Sequence, residues 1–180
     1  HLKAQEINWI SLNKALELQK KQPKKIMMDV YTNWCGPCKL LDKKTFQNED
    51  VVAFVNKNYY AVKFNGEGND SIQYKGNAYS NPNYDKTKAN KRNSSHGFAN
   101  YIGISAYPTI AFLNEEGGYV NFDEIPDYTV KNNKGASEIL NMNEAVYKSG
   151  KMSPSTQRLY RMKLQNITKY IYMLLKNVAC

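Results

Sequence analysis

Two cysteines separated by only two residues, Cys35 and Cys38, constrain this chain more than any other feature. They follow an apolar run at 26–31 that predicts a buried strand, and they precede residues 39–44, which are predicted to be helical. A C-x-x-C at a strand-to-helix junction places the first thiol at the helix N-terminus, where unpaired N–H groups and the helix dipole favour its thiolate. The second thiol lies one turn into the helix, close enough to attack the first. The spacing therefore predicts thiol–disulfide chemistry at the end of a strand.

The two spacer residues suit such a site. Pro37 lacks an N–H that a helix start would leave without a partner, and Gly36 is expected to allow a tight turn and the close approach of another chain. The alternative is a structural zinc site, which needs four ligands. The other candidate ligands, His1, His96 and Cys180, are remote in sequence. We therefore expect no metal and no cofactor.

Composition narrows the class of protein. The chain has 180 residues, of which 42% are hydrophobic and 12% aromatic. This apolar content is enough for a hydrophobic core and argues against a disordered chain. No stretch approaches the roughly 20 apolar residues of a membrane span, and three cysteines cannot form a multi-bridge scaffold. The first residue is His1 rather than Met, which predicts a processed or trimmed product, with residues 1–5 left from a cleavage site or from cloning. We expect one globular domain with additional segments.

Helical and strand patterns alternate along the chain. This alternation predicts an α/β fold with a central sheet flanked by helices. Helices are predicted over 12–21 with Ser11 as N-cap, after the N-cap Asn48, over 97–102 with His96 at its start, and from Ser137 to Gly150; strands are predicted over 26–31, 59–64 and 109–113, with 119–122 expected to pair with the last as a hairpin.

Residues 66–96 interrupt the pattern. They are rich in Gly, Asn and Asp, have no sustained apolar period, and carry three evenly spaced tyrosines, Tyr74, Tyr79 and Tyr84. A loop of this length in a compact domain is unusual. We interpret it as a surface insertion held down by the tyrosines, and a loop that contacts substrate or partner is the alternative.

Several motifs together resemble the thioredoxin family. They are the active-site sequence Trp34-Cys35-Gly36-Pro37-Cys38, an acid at Asp29, a lysine at Lys63, and Tyr107-Pro108-Thr109, which matches the family's cis-proline turn. The resemblance covers about residues 24–65 and 97–150. It departs at Asp42, where the family has a helix-kinking proline, at the insertion 66–96, and at the additional segment 151–180.

The resemblance implies a role for each matched residue. Cys35 would be the exposed nucleophile that attacks a substrate disulfide, and Cys38 would resolve the mixed disulfide. Asp29, buried and with a raised pKa, would accept the Cys38 proton, and Lys63 would offset the burial of its charge. Pro108, if cis, would expose the Tyr107 backbone to substrate. Trp34, partly exposed beside the nucleophile, would line the substrate site with Gly36, Pro37, Tyr107 and Pro108.

The C-terminal segment carries most of the positive charge. Residues 151–180 contain six basic and no acidic side chains, out of a net charge of +9. Their apolar residues recur at helical spacing, which predicts a basic amphipathic helix beyond a domain at 1–150. We favour packing of this helix on the domain or on a second copy over an interfacial membrane helix. A nucleic-acid arm is not expected, because no base-reading motif accompanies the charge.

The resemblance implies a thiol–disulfide oxidoreductase acting on disulfide-containing proteins, recharged by an unidentified upstream thiol reductant. The Gly-Pro spacer resembles that of the reducing members, so a protein-disulfide reductase is predicted. Two alternatives stay open: a binding module that docks a partner through 66–96 and the tail, and a disulfide oxidase or isomerase. Residues 45–60 resemble exported bacterial thioredoxin-like proteins, which predicts a periplasmic or otherwise exported location.

Overall fold

A computed structural model describes residues 6–119 of the chain. Helices and strands alternate along these residues, as the sequence pattern predicts. In chain order they are β1 (Trp9–Ile10), α1 (Leu12–Lys21), β2 (Ile26–Tyr31), α2 (Gly36–Lys44), α3 (Glu49–Asn58), β3 (Tyr60–Asn65), β4 (Ile72–Tyr74), β5 (Asn77–Tyr79), a 3₁₀ turn (Lys86–Lys88), α4 (Gly97–Tyr101) and β6 (Thr109–Leu113).

The central sheet has four strands in the order β1-β3-β2-β6. β1 and β2 both run parallel to β3, and β6 is antiparallel to β2. The sheet is therefore mixed, and the α/β prediction with a helix-flanked mixed sheet is confirmed. β2 and β3 each have a neighbour on both sides. In β2 five of six residues are buried, which explains why its sequence is an apolar run rather than an alternation.

Each face of the sheet has its own hydrophobic core. Alternate β2 residues Ile26, Met28 and Val30 pack with α1, α4 and the β4 tyrosine, whereas Met27 packs with α2, α3 and Phe112. Because side chains alternate along a strand, Asp29 belongs to the same face as Met27, the face covered by α2 and α3. A carboxylate thus enters an apolar layer.

Local capping chemistry sets the helix starts. The Ser11 hydroxyl accepts the Lys14 N–H, and the Asn48 side chain accepts the N–H groups of Asp50 and Val51, as predicted for these N-caps. The strand predicted from residue 59 begins one residue later, because Tyr59 is the C-cap of α3. The two-residue β1 was missed, since so short an edge strand has no visible period.

The insertion 66–96 is more ordered than its composition indicated. It contains the β4–β5 hairpin, whose tight turn places Lys75 and Gly76 at positive φ. Tyr74 is 3% exposed and belongs to the core, where its ring contacts Phe98. Tyr74 and Tyr79 hold the insertion against Phe98 of α4, in line with the predicted role of the tyrosines. The hairpin itself was missed, because three-residue strands give no periodic signal.

Several predictions concern residues outside 6–119. Within the described part, Tyr119 forms an isolated antiparallel bridge with Leu113, at the start of the predicted hairpin. The rest of strand 119–122, the helix from Ser137, and the helix predicted for 151–180 lie outside the described residues. The boundary between a domain at 1–150 and the tail remains a prediction.

Candidate active site

The two cysteines lie where the sequence predicts, at the start of α2. Cys35 is the N-cap of the helix, and its Sγ accepts the Cys38 N–H at 3.1 Å. The Cys35 N–H donates to the Thr32 carbonyl, so the turn between β2 and α2 is closed by hydrogen bonds at both ends. Cys35 and Cys38 form a disulfide in this structure.

The expectation of an exposed Cys35 was wrong for this oxidised form. Cys35 and Cys38 are each only 2% exposed. The cause is the capping geometry, which turns the Cys35 sulfur back over the first helical turn, where it bonds to Cys38. The approach that remains open is from the side of the next residue, Gly36, which is exposed.

Gly36 and Pro37 occupy the first turn of α2. Pro37 stands within the first two helical positions, as its missing N–H predicts. Gly36 does not have the positive φ that would require glycine, so the tight-turn explanation was wrong. A Cβ at Gly36 would meet no atom within 4 Å, which leaves open space beside the disulfide.

Asp29 is fully buried, at 0% exposure. It pairs in register with Lys63 of β3, so both side chains project from the same face of the sheet. The Lys63 ammonium lies 2.9 Å from Asp29 Oδ2. Among the residues described, neither Asp29 oxygen has a hydrogen bond of good geometry. Burial therefore prevails over the ion pair with Lys63 and raises the pKa of Asp29 to about 6.

Lys63 has a second acidic partner, which the sequence did not identify as part of the site. Asp42 of α2 contacts the Lys63 ammonium through Oδ1 in a short ion pair. Asp42 follows Cys38 by four residues, and this i,i+4 spacing places both on one side of α2. That spacing was the signal available in the sequence. Together the three charged groups run from the buried Asp29 through Lys63 (23% exposed) to Asp42 (43% exposed).

Aromatic rings surround the Lys63 ammonium. It lies 5.1 Å from the ring centroids of Trp9 and Tyr31 and 5.8 Å from that of Phe46. Rings at such distances attract a cation through their negative faces. Burial alone would lower the pKa of Lys63, but Asp29 and Asp42 outweigh it and raise the pKa. Lys63 therefore remains a cation between the two carboxylates.

The Tyr107–Pro108 peptide bond is cis. Pro108 directly precedes β6, and the first β6 residue, Thr109, pairs with Val30 near the end of β2. This register brings Pro108 to the end of the sheet where residues 32–35, which we call the cysteine turn, follow β2. The Tyr107 ring meets the half-buried Trp34 edge-on, with 6.3 Å between centroids, and packs against Gly66. Trp34, Tyr107 and Pro108 are thus brought together at the cysteine turn.

The insertion also reaches the site, which the sequence did not reveal. Glu67 accepts the Trp34 indole N–H at 2.7 Å, and the same oxygen accepts the Asn93 N–H at 2.9 Å. The Arg92 guanidinium lies 4.9 Å from the Trp34 ring centroid. Both ends of the insertion therefore hold the side chain of Trp34, the residue that precedes Cys35. Burial, and then the Glu67 charge, raise the pKa of Tyr107 to about 12, so its hydroxyl stays neutral.

His96 is the N-cap of α4, as predicted, and its N–H donates to the Gly66 carbonyl at 2.8 Å. Its Nδ1 accepts the Phe98 N–H and its Nε2 bonds the Asp70 carbonyl, so both ring nitrogens are engaged. Within residues 6–119, no three His, Cys, Asp or Glu side chains are grouped so as to hold a metal ion. Over the same residues, no helix is long and apolar enough to cross a membrane.

Comparison with known proteins identifies the family. Residues 12–131, more than half of the chain, match a family described as a thioredoxin-like domain. Solved structures similar to this one include a DsbH oxidoreductase (16% identity, 67% of this chain and 78% of that one, TM-score 0.46). They also include a putative disulphide-isomerase from Bacteroides thetaiotaomicron (26% identity, 66% and 79%, TM-score 0.43) and a thioredoxin from Thermus thermophilus (13% identity, 64% and 73%, TM-score 0.44). No curated protein matches the chain. On the domain match, the chain belongs to the thioredoxin-like family, and its Cys35–Cys38 pair fits the thiol–disulfide oxidoreductases of that family.

Proposed function

We propose that this protein reduces protein disulfides by cycling Cys35 and Cys38 between dithiol and disulfide. The observation that carries the proposal is the pair itself, bonded at the N-terminus of α2 with the Cys38 N–H donated to the Cys35 sulfur. A helix N-terminus with a donated N–H lowers the pKa of a thiol, so Cys35 is the nucleophile once the bond is reduced.

The reaction balances as two thiol–disulfide exchanges. The Cys35 thiolate attacks one sulfur of the substrate disulfide, forms a mixed disulfide and expels the first substrate thiolate. Cys38 gives up its proton and attacks the Cys35 sulfur, which expels the second substrate thiolate and leaves the Cys35–Cys38 disulfide. The two electrons that reduce the substrate come from the two protein thiols. An upstream dithiol must return them to complete the cycle.

Asp29 is the group we propose to accept the Cys38 proton. It is buried on the face of the sheet that α2 covers, and its pKa of about 6 leaves it mostly ionised at neutral pH. A base with a pKa near the working pH accepts and returns a proton readily. Lys63 acts through Asp29 as a positioning residue, because its positive charge limits how far burial raises the pKa of the Asp29 carboxyl.

We propose that substrate lies against Trp34, Gly36, Pro37, Tyr107 and Pro108. Open space beside Gly36 supports this placement, since it lets a second backbone approach the disulfide. Pro108 has no N–H, and it follows Tyr107, whose backbone could pair with an extended substrate segment. An exported bacterial location is proposed on the resemblance of residues 45–60 alone.

The direction of the reaction is tested by the reduction potential of the Cys35–Cys38 pair, measured by equilibration with glutathione mixtures. A potential near that of reducing thioredoxins, roughly −270 mV, is expected, because the Gly-Pro spacer adds no charge that would stabilise the dithiol form. A value near that of a strong oxidant, roughly −120 mV, would reverse the proposed direction. Insulin reduction by dithiothreitol with and without the protein provides the activity readout. No acceleration would favour the binding-module alternative.

A further inference from the structure

We propose that residues 85–92 of the insertion form a basic rim beside the redox disulfide and that this rim selects disulfides flanked by acidic side chains. The inference rests on the proposed disulfide reductase function and names the class of substrate that the site prefers. It concerns a part of the chain in which this protein departs from the thioredoxin pattern.

The rim is anchored directly to the residues that precede Cys35. The Asn33 side-chain amide donates to the Ala89 carbonyl at 2.8 Å. Three residues later, Arg92 stacks on the Trp34 ring, 4.9 Å from its centroid. Asn33 and Trp34 are the two residues before Cys35. Residues 89–92 therefore lie within side-chain reach of a substrate that approaches Cys35 next to Trp34.

The rim is held by a closed set of hydrogen bonds. At its base, the Asp85 N–H donates to Asn93 Oδ1 at 3.0 Å and the Asn93 amide returns a bond to the Asp85 carbonyl at 2.8 Å. The buried Asn81 side chain, 7% exposed, ties the Gly68 and Ser94 carbonyls together beneath it. The segment is therefore fixed before any substrate arrives, and its charges keep their place relative to the disulfide.

The exposed charge of the rim is positive. Its basic residues are all exposed: Lys86, Lys88, Lys91 and Arg92. The one acid in the segment, Asp85, accepts the Thr87 N–H and hydroxyl and lies 3.4 Å from Lys88. The neighbouring Glu67 accepts the Trp34 and Asn93 N–H groups. Lys88 is thus paired with Asp85, whereas Lys86 and Lys91 are exposed on the segment that contacts Asn33 and Trp34. The rim together with Glu67 keeps a net charge of +2, four basic side chains against two carboxylates.

A charge cluster next to a reacting group acts mainly on the rate of encounter. Opposite charges attract over about 10 Å at an ionic strength of 0.1 M, and such steering raises association rates by about 10-fold to 1,000-fold at low salt. Acidic side chains next to a substrate disulfide would therefore speed the attack by Cys35. A disulfide-bearing protein fits this rim better than another polyanion, because the rim contacts the two residues that precede Cys35 rather than forming a separate surface.

The test uses two synthetic peptides of equal length, each with one disulfide, flanked in one by glutamates and in the other by lysines. The second-order rate constant of the reduced full-length protein is measured with each peptide in single-turnover experiments. We expect the acidic peptide to react about 10-fold faster in 20 mM salt and the difference to shrink towards unity in 0.5 M salt. Equal rate constants for the two peptides at low salt, or a ratio that does not change with salt concentration, would overturn the proposal.

The charge-reversal variant Lys86→Glu/Lys88→Glu/Lys91→Glu should lose or invert the preference. Its matched control, Lys20→Glu/Lys21→Glu/Lys57→Glu, carries the same change in net charge on exposed residues of α1 and α3. The end of α1 lies by the start of β2, since Gln19 bonds the Lys24 carbonyl, so Lys20 and Lys21 are at the other end of that strand from Cys35. The control should keep most of the preference. An equal loss in both variants would assign the effect to net charge and overturn the rim.

Insulin reduction separates this inference from the proposed function. If the triple variant and the wild type both accelerate insulin reduction while the peptides react alike, the reductase function stands and the rim is overturned. If the wild type reduces neither insulin nor either peptide, both proposals fail. Loss of binding to anionic lipid vesicles in the triple variant, with equal peptide rates, would assign the basic rim to a membrane surface instead.

Discussion

At the scale of single residues, Asp29 is the group whose environment departs most from its ordinary state. A carboxyl that belongs in water is held at 0% exposure, with one ammonium as counter-charge. Burial raises the pKa of Asp29 from its ordinary value of 3.8 to about 6, so the folded protein binds the Asp29 proton more tightly than the unfolded chain does. Stability from this residue is fully present below about pH 4 and is lost as the pH rises through 6.

Replacement of this carboxyl should remove that loss. Asp29→Asn is expected to be more stable than the wild type above pH 6, by up to about 3 kcal/mol from the difference between the two pKa values. The gain should vanish near pH 4, and Lys63 keeps Asp42 as a partner in the variant. Urea unfolding at pH 4 and pH 7.5 measures both differences. A variant no more stable than wild type at pH 7.5 would contradict the balance in which burial outweighs the ion pair.

The Asp42 carboxylate should tune Asp29 from a distance. It raises the pKa of Asp29 through its charge, and it also binds the ammonium that would otherwise serve Asp29 alone. Asp42→Asn is therefore expected to lower the pKa of Asp29 and to move the acid limb of mixed-disulfide resolution to lower pH. The pH profile of that step in single-turnover experiments gives the shift. The control is Asp50→Asn, an exposed acid in the first turn of α3, which should leave the profile in place.

The two thiols of the reduced protein should differ in reactivity. Cys35 accepts the Cys38 N–H and caps α2, so its pKa is expected to fall below the roughly 8.5 of a free thiol. Iodoacetamide at neutral pH should therefore label Cys35 well before Cys38, as read by mass spectrometry of peptides that also resolve Cys180. Faster labelling of Cys38 would exchange the two proposed roles.

At the scale of elements, the insertion is part of the core and of the site. Ile72 and Tyr74 are each 3% exposed, and the Tyr74 hydroxyl donates to the Gly117 carbonyl at 2.7 Å. Deletion of 66–96 as one piece would therefore remove core side chains along with the surface of the loop. Changes confined to exposed residues of 85–92 separate recognition from stability, which is why the charge reversal above is limited to three lysines.

The contact between the insertion and the cis-proline turn makes Gly66 sensitive to substitution. A Cβ there would lie 2.5 Å from Tyr107 Cε1, so the ring must move. Gly66→Ala is expected to destabilise the protein by about 1–3 kcal/mol, the usual effect of overpacking. Combination with Tyr107→Ala should recover part of that loss, because the clash partner is gone, and chemical denaturation of both single variants and the double variant measures this coupling. Strictly additive effects would show that the ring is not the obstacle.

At the scale of the whole molecule, the site lies where two elements from distant parts of the chain meet. β2 delivers the cysteine turn at its end, and antiparallel β6 starts beside it, so Pro108 arrives next to residues some 70 positions earlier. The opposite faces of the sheet carry separate cores, and among residues 6–119 only the α2–α3 face receives charged groups, Asp29 and Lys63. The Cys35–Cys38 pair therefore lies at the same end of the sheet as Asp29, the proposed proton acceptor, and the Tyr107–Pro108 turn, which is proposed to bind substrate.

The elements with strong local signals, and the redox pair, could be predicted from the amino-acid sequence alone. The apolar run of β2, the N-caps Ser11 and Asn48, and the Cys35–Cys38 spacing each carry their own physical reason within a few residues, so no tertiary contact is needed to recognise them. The pairing of Asp29 with Lys63 was also predicted, although only through the family resemblance.

Tertiary structure alone decided the features that join segments distant in sequence. The Asp42 contact with Lys63 depends on how α2 lies over β3, and Pro108 reaches the end of β2 only because β6 pairs with β2. The order in the insertion depends on α4, whose Phe98 gives Tyr74 and Tyr79 something to pack against. Local periodicity does not reveal such interactions, because they join residues that become neighbours only in the folded chain, such as Asp42 and Lys63, which are 21 positions apart.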